Sequence, residues 1–234
     1  MVVSNLVYEE QAPDVARTLL NAGAYMLAPT PDDPNSWLTW KSGLQAPVYT
    51  DCRKLFRDPG ATELVTLALC SAIRVLFGPF DYVVGTAEAG VMWSSRVAAE
   101  LGKPHAFVRK QRKAHGSSLL VECSPEHGSR ALVIDDLMAS GGSVVKAIEA
   151  LRTEAKMPTV GVMTVVNWDF PEMRERLARL GIPYRALVSY SDLLLAAVNS
   201  GRLDVRAAKE LSRFYKNPTH HEWDLSAFKQ RQSA

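Results

Sequence analysis

Cysteine is scarce in this chain and unpatterned. Its three cysteines, Cys52, Cys70 and Cys123, form no CxxC pair. An odd, scattered set excludes a disulfide framework and the usual spacing of a zinc site, and it fits a reducing compartment. Charge of one sign is also lacking: 27 Lys and Arg stand against 25 Asp and Glu, a formal net charge of +2. That near-balance excludes non-specific nucleic-acid binding as the main activity, so any anion site has to be local. The opening stretch MVVSNLVYEEQAPD has no basic segment followed by an apolar one, so no secretory signal is expected. The densest apolar run, LLLAAV, is far too short to span a bilayer. No internal repeat or low-complexity tract is visible. The expectation is a soluble, cytoplasmic protein with neither a membrane nor a nucleic-acid partner.

What is present is apolar residue in quantity, 47% of 234 positions, enough for one α/β domain with additions. APTPDDPNS at 28–36 has the composition of a linker. Before it, 9–22 reads as a helix. After it, SWLTWKSG and PVYTDCRKL read as a short pair of strands joined by Gly43, followed by a helix from Pro59 to Phe77. Short apolar strands then alternate with amphipathic segments. Strands are expected at 81–85, 105–110, 131–136, 159–166 and 184–190. Helices are expected at 90–102, 143–152 and 171–181, and again from Ser191 and from about Leu203. This alternation implies a mostly parallel sheet covered on both faces, with ligands at the carboxyl ends of its strands. Residues 1–58 would form an N-terminal helix and hood, 59–203 the core, and 204–234 a C-terminal helical extension.

One such strand end stands out. ALVIDDLMASGGSVVKAIEAL places Asp135 and Asp136 side by side and runs at once into Ala139, Ser140, Gly141, Gly142 and Ser143. Small residues let the backbone wrap a ligand closely, and the helix that follows offers unpaired N–H groups to a phosphate. Neither a Walker A loop nor a GxGxxG turn is present. The carboxylates suit a different part of the ligand, and vicinal ribose hydroxyls are fitting donors to them. Adjacent strand residues point to opposite sides, so the pair cannot act as the spaced acid and base of a glycosidase. Two plainer readings are an ordinary strand–turn–helix with a solvated acidic pair, and the acidic pocket of a phosphoacceptor domain. The latter needs a separate acceptor aspartate, which is not evident. A second feature is FVRKQRKAHGSSLLVE, with Arg109, Lys110, Arg112, Lys113 and His115 within seven residues. A solvated basic loop is the usual fate of such a run, but cations on a closing loop would also neutralise a polyanionic leaving group.

The acidic pair followed by the small-residue loop resembles the phosphoribosyl pyrophosphate (PRPP) motif of type I phosphoribosyltransferases. RKQRKAHG is similar to the catalytic loop of the orotate enzymes among them, and LTWKSGLQAPVYTDCRKL to the segment where their hood begins. The resemblance spans roughly 38–203 and implies a type I phosphoribosyltransferase-like α/β fold with an N-terminal hood. It implies transfer of phosphoribose from PRPP to orotate, with Mg²⁺ bound mainly through PRPP and no direct protein ligand assigned. It also implies a homodimer whose basic loops complete the partner site. The catalytic residues it indicates are Lys113, His115, Arg109, Lys110, Asp135 and Asp136. PRPP would be held by Lys41, the acidic pair, residues Ala139 to Ser143, Thr86, Ala87 and the basic loop. Tyr49, Arg53 and Trp168 would meet the base. Two departures are visible: Ala89 stands where many relatives carry lysine, and Asn167-Trp168 where orotate enzymes carry Asp-Arg. Trp168 would then either stack on a base or pack against the hood. Two alternatives follow: transfer to another base such as a purine, and a non-catalytic PRPP-sensing regulator. The retained loop cations, and the absence of a helix-turn-helix segment before residue 30, speak against the regulator.

Overall fold

The βα alternation closes into a single six-stranded sheet. The structure is a computed structural model that describes residues 3–40, 43–112, 119–218 and 222–229, with side chains from residue 11 onward. In chain order its elements are α1 (Val3–Asn21), β1 (Tyr25–Leu27), β2 (Leu38–Thr39), β3 (Gln45–Ala46), β4 (Val48–Thr50) and α2 (Pro59–Leu76). There follow β5 (Tyr82–Thr86), α3 (Ala89–Leu101), β6 (His105–Val108), β7 (Val121–Glu122), β8 (Ala131–Met138) and α4 (Gly142–Thr153). The chain continues with β9 (Thr159–Asn167), α5 (Pro171–Leu180), β10 (Tyr184–Ser189), α6 (Tyr190–Asn199) and α7 (Val205–Lys216). The sheet order is β10-β9-β8-β5-β6-β7, parallel except for the last strand.

From β5 the chain moves through α3 to β6 on one side, then returns through β8 to the other. The order reverses between β5 and β8, and their carboxyl ends open a crevice there. Helices cover both faces. One core packs α1, α2, α3, α6, α7 and the hood around Leu132, Ile134 and Val166. The other packs α4 and α5 around Val133 and Val162. Alternate residues of β8 feed the two cores, as the two-residue period of a strand requires.

The helix boundaries have local causes. Pro59 opens α2 behind an Asp58 cap that accepts the N–H groups of Gly60 and Ala61. Ser189 and Asp192 form a reciprocal capping box at the start of α6. At 18 residues and a mean hydropathy of 1.3, α2 is long and apolar enough to span a membrane, which the expectation had excluded. Its Val65, Leu69 and Ile73 are buried in the core, while Leu64, Leu67 and Val75 are exposed.

The hood departs from the expected strand pair. β2 does pair with β3 around a turn containing Gly43, but β4 pairs with β1. Pro47 lies between β3 and β4 and has no N–H to continue the ladder. The expected strand through DCRKL is a 3₁₀ helix over Cys52–Arg57, because the Asp51 side chain accepts the Arg53 N–H and starts a turn. α1 also begins earlier than the expected residue 9 and carries Pro13 inside it.

Candidate active site

The two aspartates stand toward the carboxyl end of β8, the strand that borders this crevice with β5. β8 runs to Met138, so both belong to the strand and the loop proper is shorter than the sequence implied. Asp135 is only 5% exposed. Its Oδ1 accepts the Asp136 N–H at 2.9 Å and its Oδ2 accepts the Ser143 hydroxyl at 3.0 Å. The loop and the acidic pair are thus joined directly. Burial raises the Asp135 carboxyl above the ordinary range, opposed by those hydrogen bonds. Asp136 is raised further, first by burial and then by repulsion from Asp135. Two neighbouring carboxylates, Asp135 buried and Asp136 half-buried, favour a ligand that brings hydroxyl donors or a cation of its own.

Helix α3 approaches Asp135 closely. A Cβ on Gly90 would lie 2.8 Å from the Ile134 carbonyl oxygen and 3.0 Å from Asp135 Oδ1. Across the crevice, Gly141 takes a left-handed φ of +74° at the start of α4, where a side chain would be strained and would press on Met173. No side chain caps α4, and its first turn has no acidic residue. Its N-terminal amides and positive dipole end are therefore free for an anion.

Two cavities meet at Gly142 and Ser143. The larger, about 900 Å³, lies between the hood and α5. Its walls include Trp40 and Tyr49 from the hood, the loop from Ala139 to Ser143, and Arg176 and Lys216. The smaller, about 310 Å³, is lined by Thr86, Ala87, Arg109, Lys110, Ser143 and Lys146 among others. Arg109 Nε pairs with Glu122 at 2.6 Å and Lys110 Nζ with Glu88 at 3.1 Å. The structure thus brings together Thr86, Ala87, Arg109, Lys110, Asp135, Asp136 and the loop Ala139–Ser143. Lys41, Lys113 and His115 lie outside the described residues.

The base-facing residues are the least as expected. Tyr49 lines the larger cavity. Arg53 is not among its lining residues; its guanidinium bonds both oxygens of Asp51, at 2.6 and 3.1 Å. Trp168 borders the cavity but is fully buried. Tyr190 stacks on it at 3.9 Å between ring centroids, and Trp40 meets it edge-on at 4.3 Å. In this arrangement the ring packs between the hood's Trp40 and Tyr190 of α6 while bordering the cavity. Its neighbour Asn167 accepts the Asp169 N–H and closes a turn. Sequence reasoning passed over Lys146, Arg176 and Lys216. Ser143, Lys146 and Ala147 share one helical face by their spacing, a signal the sequence did carry for Lys146. Arg176 and Lys216 reach the larger cavity only through tertiary packing.

Among the described residues, no group of three or more His, Cys, Asp or Glu could hold a metal ion. The acidic pair fits a cation delivered on a ligand's own oxygens. The arrangement amounts to an anion loop, an acidic pair, a cationic cavity on one side and an aromatic-walled cavity on the other.

Comparisons with known proteins point the same way. Residues 65–178 match the phosphoribosyl transferase domain. The orotate phosphoribosyltransferase of Bacillus cytotoxicus is 30% identical over 210 residues, covering 90% of this chain and 97% of that protein. Among solved structures, the orotate phosphoribosyltransferase of Aeropyrum pernix superposes with a TM-score of 0.67 at 27% identity, over 80% of this chain and 98% of that one. The UMP synthase of Leishmania donovani gives 0.75 at 24% identity over 89% of this chain. This chain spans 43% of that protein, and the likeness speaks to the fold. With the acidic pair, the loop and the hood all falling inside an alignment that takes in nearly the whole Bacillus enzyme, the chain belongs to the orotate phosphoribosyltransferase family.

Proposed function

We propose that this protein transfers the phosphoribosyl group of PRPP to orotate, giving orotidine 5′-monophosphate and pyrophosphate in de novo pyrimidine synthesis. One observation carries the reading: a cavity with cationic walls and a cavity with aromatic walls meet at Gly142 and Ser143, where α4 opens, and the Ser143 hydroxyl bonds the Asp135 carboxylate there. The amides of Gly141 to Ser143 hold the 5′-phosphate at the helix N-terminus. The carboxylates accept the ribose hydroxyls and stabilise positive charge developing at C1′. Pyrophosphate leaves into the smaller cavity, where Arg109 and Lys110 stand, with Lys113 and His115 of the same loop assigned by resemblance. The base nitrogen attacks C1′ from the hood side, beside Tyr49. Bound through the donor's own oxygens beside the acidic pair, Mg²⁺ supplies charge neutralisation for the pyrophosphate and needs few protein ligands.

A homodimer is part of the proposal. Exposed Leu64 and Leu67 on α2 and Met92 on the adjacent α3 offer an apolar face to a second copy. A cytoplasmic location is supported by three free cysteines. A second acceptor, such as a purine, is favoured by a single feature: the strand end carries a buried Trp168 and no arginine for the orotate carboxylate.

Pyrophosphate release with Mg²⁺, PRPP and either orotate or a panel of bases tests this. Turnover with orotate is expected. Turnover with a purine alone overturns the acceptor. PRPP binding without turnover on any base overturns the enzyme reading.

A further inference from the structure

The smaller cavity has a charge imbalance that none of the sequence motifs accounts for. The turn after β5, Thr-Ala-Glu-Ala at 86–89, carries no cation of its own. Arg109 and Lys110 line the cavity, but each already faces a carboxylate, Glu122 and Glu88 respectively. Lys146 is the third cation on that wall. Among the described residues it has no acidic partner; its ammonium donates to the main-chain carbonyl oxygen of Lys110. Among the described residues that line the cavity, Lys146 is the cation without a carboxylate partner.

Its position is as telling as its charge. Lys146 is the fifth residue of α4, close to the positive end of the helix, and no acidic residue stands in the first turn to offset it. A cation there opposes the helix dipole. Residues that break a local rule in this way cluster at functional sites. The helix fixes the Lys146 backbone on a packed element, whereas Arg109 and Lys110 sit where a strand gives way to a loop. The hydrogen bond to the Lys110 carbonyl holds the side chain at the wall of the cavity that Thr86 and Ala87 also line.

We propose that Lys146 is a pyrophosphate-binding residue: it holds the pyrophosphate end of PRPP in the ground state and neutralises the leaving group as its bond to C1′ breaks. This rests on the PRPP reading above. The contact is charge-assisted and concerns only that end of the donor.

The test is steady-state kinetics in both directions on Lys146→Ala and Lys146→Arg, with calorimetric titration of pyrophosphate and of orotidine 5′-monophosphate. A lost charge-assisted hydrogen bond corresponds to about 10- to 100-fold in affinity. Lys146→Ala should weaken pyrophosphate and PRPP by that factor, leave the nucleotide within about twofold, and be largely rescued by Lys146→Arg. Unchanged pyrophosphate affinity in Lys146→Ala overturns the proposal. Equal weakening of pyrophosphate and nucleotide also overturns it, because that marks a general role in holding the fold. A wild-type protein that binds neither PRPP nor pyrophosphate sinks the donor reading itself, which is a separate failure.

Discussion

Gly90→Ala tests the closest approach in the site. The added Cβ would lie 2.5 Å from Thr86 Oγ1, 2.8 Å from the Ile134 carbonyl oxygen and 3.0 Å from Asp135 Oδ1. The carbonyl belongs to β8 in the middle of the sheet and cannot swing aside, so α3 has to lift. Overpacking of this kind costs about 1–3 kcal/mol. Alanine returns up to about 1 kcal/mol of helix propensity, less in a first turn. The net is about 1–2 kcal/mol, which for a chain of this size lowers Tm by about 2–8 °C. The same Cβ would lie 3.0 Å from Asp135 Oδ1 and press on that carboxylate, so PRPP affinity should fall at least about tenfold, the equivalent of 1.4 kcal/mol. Gly161→Ala is the matched control: its Cβ would meet the Phe77 ring at 2.2 Å, far from the acidic pair. It should lower Tm by a similar amount and leave PRPP binding intact. Thermal unfolding and PRPP titration on both variants decide the matter. A Gly90→Ala protein with wild-type Tm and affinity refutes the close-approach argument, and equal binding loss in both variants refutes the role assigned to Asp135.

Other outcomes follow from the same geometry. Replacing Asp135 and Asp136 together by Asn should abolish PRPP binding yet raise Tm at neutral pH. Burial raises both folded-state pKa values, so the ionised pair weakens the apo fold above those values, and the cost fades as pH falls toward the ordinary carboxylate range. Thermal melts from pH 7 down to pH 4 should therefore show the variant's advantage shrinking; an advantage that grows on acidification contradicts the assignment. Arg176 Nη1 lies 3.4 Å from where a Gly142 Cβ would stand, and Glu172 holds its guanidinium. Arg176→Gln should weaken ribose 5-phosphate several-fold and leave pyrophosphate unchanged by titration. Leu67→Glu, on the exposed face of α2, should shift the protein to monomer in sedimentation without lowering its Tm by more than a few degrees.

Much of this protein was legible in its order of residues. Strand and helix periodicity, Pro and Gly at helix ends, and the acidic pair ahead of small residues all act within a dozen positions, so the sheet class and the donor loop could be read directly. The pairing of the hood could not. Pro47 blocks a ladder locally, but the choice of β1 as partner for β4 spans more than twenty residues and depends on the core beneath. The packing of Trp168 is similar: a tryptophan after a strand can meet many neighbours, and its contacts with Trp40 and Tyr190 come from elements far away in the chain. Charge pairing was equally hidden. Arg109 and Lys110 looked like free cations in a basic run, and Glu122 and Glu88, from separate elements, took them up, leaving Lys146 as the cation without a carboxylate among the described residues lining the smaller cavity. The sequence by itself determined the layers and the donor loop, because those rest on short-range periodicity and backbone chemistry. The tertiary structure decided which side chains face the cavities and which charges remain unpaired, because both depend on neighbours far apart in the chain.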